Sequence, residues 1–503
     1  MNGATAVLES LGRAGVRVCF ANPGTSELHL VAALDRTPHL RAVLCLFEGV
    51  AAGAADGYAR MTGIPAVTLL HQGPGLAYGL ANLHNAMRAA SPVVNLIGDG
   101  ASTHRGLGAP LESDVAALAG PVSRWVRTAR NPEGAGADAV AAVAAATGPP
   151  GAVATLVVPA DVAWSPGGRA ARALPEEPAA PAPVGTVNAG RDSTILLGGP
   201  TLRARGLTAA DRIARATGAS LLAEAFPGRI ERGVDVPPIE RLSGNPVDAR
   251  QRLAGCRHLV LAGAATPVMA FAEPGTAGEL TPPGCTVERL DGDTTAALEE
   301  LANRVAPHLR ARPYKPPATP NEPVNRPLTA EGVAQVVAAL LPQWAIVVDE
   351  ANTSIVALPD GTARHDLLTN SGFAIGLGMP LAAGAALACP DRPVVCLEAD
   401  GSAMYTPSAL WTHAREGLDV TTIVLNNRAY AILRRERTRL LGQPGGSALF
   451  DLSGPDLDFV ALATAMGVPG SRASTTGELT AQLKQALAEP GPHLIEATVP
   501  ARY

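Results

Sequence analysis

At 503 residues, with 47% apolar and 17% charged side chains, the chain is long enough for roughly two to four domains with full cores and too apolar to be disordered. A net charge of −5 without any basic block argues against nucleic acid as a partner. No apolar signal core is visible near the N-terminus and no run reaches about 18 apolar residues without a charge or turn, which predicts a soluble, cytoplasmic protein with no membrane segment. The six cysteines (19, 45, 256, 285, 389 and 396) are scattered without a C-x-x-C. Four lie beside apolar runs, as expected for buried thiols in a reducing compartment.

Residues 3–14 read as an amphipathic helix and 16–20 as a short strand. The stretch Ala21-Asn22-Pro23-Gly24-Thr25-Ser26-Glu27 reads as a turn opening the next helix, where free amides favour an anion. Further strands are expected at 41–46, 65–70, 92–97 and 151–158, with a small-residue helix at 49–60. Apolar strands alternating with Ala-rich helices predict a parallel sheet covered on both faces, and residues 1–165 form the first expected domain. A Pro/Ala linker, 166–183, precedes a smaller α/β unit at 184–312, with strands at 194–197, 220–222, 259–263 and 285–288 and a helix at 208–217. Its Gly263-Ala264-Ala265-Thr266 falls short of a dinucleotide fingerprint, so a structural spacer and a ligand binder remain equal readings. A second proline-bearing linker, 313–327, leads to the third expected domain, 328–503. There, 346–349 reads as a strand, 372–389 as a glycine-spaced helical region, 436–455 as a lid or loop without periodicity, and 493–496 as the last strand. The fold class is therefore α/β, with three consecutive domains built on parallel sheets.

Within the third domain, an apolar run (394–397) meets Ala399-Asp400-Gly401-Ser402, a helical segment follows at 406–416, and a second apolar run (420–425) ends in Asn426-Asn427. Residues just past the C-terminal ends of neighbouring parallel strands share one crevice, where open α/β sheets bind ligands. One carboxylate, one amide oxygen and the amides around Gly401 and Ser402 suit a hard cation bridging a phosphate.

This pattern resembles the metal and diphosphate motif of thiamine-diphosphate enzymes, in which Gly-Asp-Gly is followed some two dozen residues later by paired asparagines. Here the first glycine is Ala399, a departure that costs only tolerance of positive φ. The resemblance implies that Asp400 and Asn427 hold Mg²⁺ through their side chains and Ala429 through its carbonyl. It also implies that Asn352, Gly401, Ser402 and Tyr430 line the cofactor. Aligned to the family, Gly372-Phe373-Ala374-Ile375-Gly376-Leu377-Gly378-Met379-Pro380 puts Ile375 as the wedge that folds the two cofactor rings into a V. The Phe373 carbonyl then receives the 4′-amino group.

Glu48 follows Leu44-Cys45-Leu46-Phe47 and precedes Gly49-Val50-Ala51-Ala52-Gly53, so burial is expected to desolvate its carboxyl and raise its pKa. With Gly53-Ala54-Ala55-Asp56-Gly57-Tyr58-Ala59-Arg60 behind it, the stretch resembles the family's catalytic glutamate segment. That role is to hold a proton at N1′ of the aminopyrimidine, so that the 4′ nitrogen can take the C2 proton of the thiazolium. The cofactor then stores the electron pair left when a 2-oxo acid loses carbon dioxide. The resemblance covers nearly the whole chain, in the order pyrimidine-binding, central and diphosphate-binding domain. Since the glutamate of one subunit serves the cofactor of another in this family, it implies a homodimer at least and a homotetramer as the expected assembly.

Two subfamilies fit, acetolactate-synthase-like large subunits and benzoylformate-decarboxylase-like enzymes. Asn22-Pro23-Gly24-Thr25 resembles the decarboxylase loop whose serine meets the substrate carboxylate, with Thr25 at that position. His71 falls where the decarboxylase has a proton-relay histidine, a role suited to a side chain that titrates near neutrality. The decarboxylase's second histidine has no counterpart in Met269-Ala270-Phe271-Ala272-Glu273-Pro274-Gly275, which leaves room for capture of the carbanion by a second carbonyl compound. Against a true acetolactate synthase stand Phe47 in place of the usual histidine, His71, and the absence of a clear flavin loop. The expected activity is thus decarboxylation or carboligation of a 2-oxo acid, benzoylformate-decarboxylase-like, with acetolactate formation from pyruvate as the alternative. The upper wall of the pocket is expected to include Thr25, His71, Tyr430 and Leu433.

Overall fold

The structure, a computed structural model, describes residues 1–172, 189–311, 314, 320–352, 358–359, 361–443 and 445–501. Much of the two expected linkers therefore lies outside the described residues.

The first six strands are β1 (Val18–Ala21), β2 (Arg41–Leu44), β3 (Ala66–His71), β4 (Val93–Asp99), β5 (Trp125–Thr128) and β6 (Val153–Pro159), and they form one sheet in the order β2-β1-β3-β4-β6-β5. Every neighbouring pair is parallel. All residues of β1, β4 and β6 are buried, as required when helices cover both faces. Strand β5 and the helix Pro132–Thr147 that follows it were not anticipated. That helix is so Ala-rich that it carries no amphipathic signal, although Asn131 caps it through the Gly134 N–H at 2.8 Å and Pro132 opens it.

The chain continues through β7 (Ser193–Leu197), β8 (Ser220–Ala223), β9 (Arg229–Arg232), β10 (His258–Ala262) and β11 (Thr286–Leu290). Four of these make a parallel sheet, β11-β10-β7-β8. Strand β9 leaves it. Together with β12 (Ala345–Glu350), β13 (His365–Thr369), β14 (Val394–Ala399), β15 (Val420–Asn426), β16 (Gly470–Ala473) and β17 (His493–Thr498) it forms the third sheet, β16-β17-β15-β14-β12-β13-β9, as the single antiparallel edge strand. The span expected as a separate central unit thus lends a strand to its neighbour. Arg229 on β9 is paired with Asp366 on β13 at 2.6 Å and donates to the carbonyls of Arg60 and Met61, tying the third sheet to the helix Glu48–Thr62 of the first domain. Burial would raise the Asp366 pKa, but Arg229 and Arg392 overcome it and hold the carboxyl below its ordinary value.

The first and third sheets share a core through two helices, Glu48–Thr62 and Gly378–Ala388, whose backbones nearly touch. A Cβ on Gly57 would lie 2.1 Å from the Leu381 carbonyl oxygen, and one on Gly384 would lie 1.9 Å from that of Ala54. Only glycine permits this approach. The expected helical region at 372–389 is helical only over Gly378–Ala388, because the preceding residues form the extended loop described below. The segment expected at 406–416 is helical over Ala409–Glu416, and the turn at Asp400 is itself one helical turn, Asp400–Ala403. The stretch 436–455 is corrected as well. A helix, Ala431–Leu441, runs through its first residues, and its many arginines hid the periodicity.

No helix among the described residues is long and apolar enough to cross a membrane. All six thiols are free, with Cys19, Cys45, Cys256 and Cys396 buried.

Glu224, just past β8, accepts the Gly199 N–H at 3.3 Å, and burial pushes its pKa up to about 7. A carboxyl with a folded pKa above its unfolded value contributes stability that is complete below the unfolded value and is lost as pH rises through the folded one. Glu224→Gln is therefore expected to raise Tm at pH 8.5, by roughly 1–3 kcal/mol of stability after allowance for its partial exposure. The difference should vanish at pH 4.5, and paired melting curves at the two pH values check it.

Candidate active site

Two clusters form at the C-terminal ends of the parallel strands. In the third sheet, β14 delivers Asp400 and β15 delivers Asn427. Asp400 is buried; its Oδ1 accepts the Gly401 N–H at 2.8 Å, and its Oδ2 accepts those of Asn427 at 3.0 Å and Arg428 at 2.6 Å. Burial nevertheless pushes its pKa up to about 6 against the pull of those amides. The Asn427 Oδ1 accepts the Ala429 N–H at 2.9 Å, and the Ala429 carbonyl accepts the Ala431 N–H at 2.8 Å. Asp400 Oδ1, Asn427 Oδ1 and the Ala429 carbonyl each keep a second lone pair. A carboxylate whose charge burial leaves under-compensated, beside an amide oxygen and a carbonyl, fits a hard divalent cation. No cluster of three His, Cys, Asp or Glu suited to a metal occurs among the described residues.

Ala399 has φ −84°, in the extended region, so the departure from glycine there carries no backbone cost. Asn352 Nδ2 donates to Ser402 Oγ at 2.7 Å, and the Tyr430 ring lies against Gly401. The loop bearing Phe373 and Ile375 is held from two sides. Glu350 Oε2 accepts the N–H groups of Leu377 and Gly378, and its Oε1 accepts Asn370 Nδ2. From the helix Gln72–Arg88, Asn85 bonds Ala374 at both N and O, and Asn82 donates to Gly376 O at 3.2 Å. Asn82 also donates to Gly49 O at 2.8 Å, so one side chain links the backbone beside Glu48 to that beside Ile375.

The second cluster belongs to the first sheet. Glu48 opens its helix and is 7% exposed. A Cβ on Gly75 would lie 3.2 Å from both Glu48 Oε1 and His71 Cβ, which measures how close the two are. His71 Nδ1 lies 2.7 Å from Glu27 Oε2 and 2.9 Å from Ser26 Oγ. Glu27 is fully buried, and burial raises its pKa against the opposing pull of Ser26, His71 and the Gly24 N–H. Gly24 must be glycine here, because a Cβ would fall 2.3 Å from His71 Nδ1. The hydroxyl tied to His71 belongs to Ser26, while Thr25 beside it is exposed. Sequence reasoning passed over Glu27, Glu350, Asn82 and Asn85. The available signal was weak: Glu27 three residues after Gly24, and two asparagines at i, i+3 on a helix whose inner face is otherwise small or apolar.

Among the described residues, seven non-glycines adopt left-handed φ, and four of them, Gln72, Asn352, Phe373 and Arg428, stand in or beside these clusters. Such strain costs about 1–3 kcal/mol per residue and collects where a site over-determines the backbone.

Parallel sheets whose strand ends gather a buried acid, an amide pair and a strained loop define a cofactor-dependent α/β enzyme. Residues 1–120 match the thiamine pyrophosphate enzyme N-terminal TPP-binding domain, and residues 360–497 the C-terminal one. The chain belongs to the thiamine-diphosphate-dependent enzymes. It is 52% identical over 516 residues to a Mycobacterium tuberculosis chain provisionally named acetolactate synthase large subunit IlvX, covering 100% of this chain and 99% of that one. It is 32% identical over 531 residues to a benzoylformate decarboxylase of Pseudomonas aeruginosa, with 98% of each covered. A thiamine-diphosphate-dependent 4-hydroxybenzoylformate decarboxylase of Rhodococcus jostii superposes with a TM-score of 0.82 at 25% identity, covering 99% of both chains.

Proposed function

We propose that the chain holds thiamine diphosphate with Mg²⁺ and joins the acyl unit of a 2-oxo acid to a second carbonyl compound, as acetolactate synthases do. The cofactor supplies the sink for the electron pair released with carbon dioxide. Asp400, Asn427 and the Ala429 carbonyl would hold the cation, and Gly401, Ser402 and Asn352 would lie along the diphosphate. Ile375 and the Phe373 carbonyl would seat the ring pair, and Glu48 would hold the proton at N1′. The observation that carries carboligation is the segment 269–275. Its one titratable side chain, Glu273, is paired with Arg439 at 2.6 Å, so this wall offers no ready proton donor. The name of the 52% identical relative points the same way.

A second reading, decarboxylation to a free aldehyde, is favoured by the His71–Glu27 pair, in which a ring nitrogen 2.7 Å from a carboxylate offers a path for a proton. Product analysis with pyruvate, 2-oxobutyrate and phenylglyoxylate, with and without an acceptor, separates the two. An acyloin or acetohydroxy acid as the main product supports carboligation, and aldehyde overturns it. His71→Ala is expected to slow turnover by roughly 10²-fold while leaving cofactor affinity unchanged. Equal losses in both would assign His71 a structural role. A homodimer, with each Glu48 facing the cofactor of its partner, is part of the same proposal.

A further inference from the structure

Phenylalanine is scarce in this chain, with seven in 503 residues and aromatic side chains at 3% overall. Three of the seven meet beside the candidate site. Phe373 stands edge-to-face with Phe226 at 4.4 Å between ring centroids and with Phe271 at 5.9 Å. Large apolar rings are normally buried, yet Phe271 is 70% and Phe373 43% exposed. Phe373 also sits at φ +64°, a conformation that a bulky residue adopts only against a steric penalty and that glycine adopts freely. A ring kept at a position where glycine would be more comfortable is a ring with a use, and its edge contacts tie it to the central span.

The partners are held in place. Phe226 follows β8 and packs over Gly244. Phe271 lies on the loop after β10, whose tip is anchored two residues later by the Glu273–Arg439 ion pair at 2.6 Å. The loop carrying Phe373 is clamped by Glu350, Asn370 and Asn85, with the Phe373 N–H donating to Asn370 Oδ1 at 2.9 Å. Two rings from the central span and one from the cofactor loop therefore make an edge-to-face aromatic wall, and the exposed faces of Phe271 and Phe373 can stack or edge against a planar group.

We propose that Phe373, with Phe226 and Phe271, is the specificity-determining wall of the site, and that it selects a carbonyl substrate with a flat apolar side chain over one with a methyl group. The proposal rests on the reading of the site as one for 2-oxo acids and names the side chain that the site prefers. The wall acts on binding, so its test need not depend on turnover. Mandelate and lactate keep the carboxylate and the side chains of phenylglyoxylate and pyruvate but have no oxo group to lose carbon dioxide from. Both are titrated by calorimetry into protein loaded with thiamine diphosphate and Mg²⁺. Wild type is expected to bind mandelate at least about tenfold more tightly than lactate. Phe226→Ala is expected to keep the cofactor, since Phe226 is not among the residues that would hold it, and to lose much of that preference. Phe271→Ala is expected to lose part of it. Equal binding of the two acids by wild type, or an undiminished preference in both variants, overturns the proposal. So does a change of oligomeric state in the variants with the preference intact, which would make the rings a subunit contact. A mandelate preference that the variants abolish, in a protein that turns over no 2-oxo acid, upholds the wall and defeats the reading of the reaction instead.

Discussion

Glu48→Gln is expected to leave thiamine diphosphate bound and the fold intact while slowing proton exchange at C2 of the cofactor by roughly 10²- to 10⁴-fold. The side chain opens its helix from a 7% exposed position, after an extended Phe47 and against Gly75. Glutamine fills the same volume and keeps a carbonyl oxygen, so packing survives. What it lacks is a proton to hold and return at N1′. Exchange followed by NMR in deuterated buffer reads the step directly, and unchanged exchange would remove Glu48 from activation. The same variant tests the assembly. Co-expressed with Asp400→Ala, itself inactive, it is expected to recover up to about a quarter of wild-type activity, because half of randomly paired dimers are mixed and each carries one intact site. No recovery would place Glu48 over the cofactor of its own subunit.

Asp400→Asn is expected to weaken Mg²⁺-dependent cofactor binding by more than ~10²-fold, with a smaller loss of stability than Asp400→Ala because only the Gly401 N–H loses its acceptor. Asparagine still offers an oxygen to the Asn427 and Arg428 N–H groups, which lie 3.0 and 2.6 Å from the native carboxylate. It cannot offer the charge that a hard cation requires. Asp400→Ala should show the same loss of affinity and a larger loss of stability, about 1–3 kcal/mol for each buried N–H left unpaired. The contrast between the two separates the roles of ligand and of brace between β14 and β15. Asn at wild-type affinity would exclude Asp400 as a ligand.

Asp400 and Asn427 were legible in the sequence because their placement is local. An apolar run that ends in an Asp-Gly turn, and another that ends in paired asparagines, deliver their last residues to one crevice whenever the strands are parallel neighbours, and β14 pairs with β15 in register. Glu48 was legible for a similar reason, as an acid caught between an apolar run and a small-residue helix. Glu27 was not. Its importance lies in a hydrogen bond to His71, 44 residues away, and nothing within the turn Gly24–Glu27 distinguishes it from a helix-opening acid. Glu350 and Asn85 were equally silent, since each acts on a loop that only the packed helices bring near.

The sequence by itself determined the alternation of buried strands with small-residue helices and the family to which the chain belongs. It also placed Asp400 and Asn427 at neighbouring strand ends, because periodicity and strand-end motifs are written over a few neighbouring positions. Only the tertiary structure decided that β9 crosses from the central span to the edge of the third sheet, since Arg229 finds its carboxylate, Asp366, 137 residues on. It alone set Ser26 rather than Thr25 against His71, and gathered Phe226, Phe271 and Phe373 into one wall. Those choices depend on contacts between distant segments, whose partners are set by packing and charge in three dimensions and leave no local pattern to read.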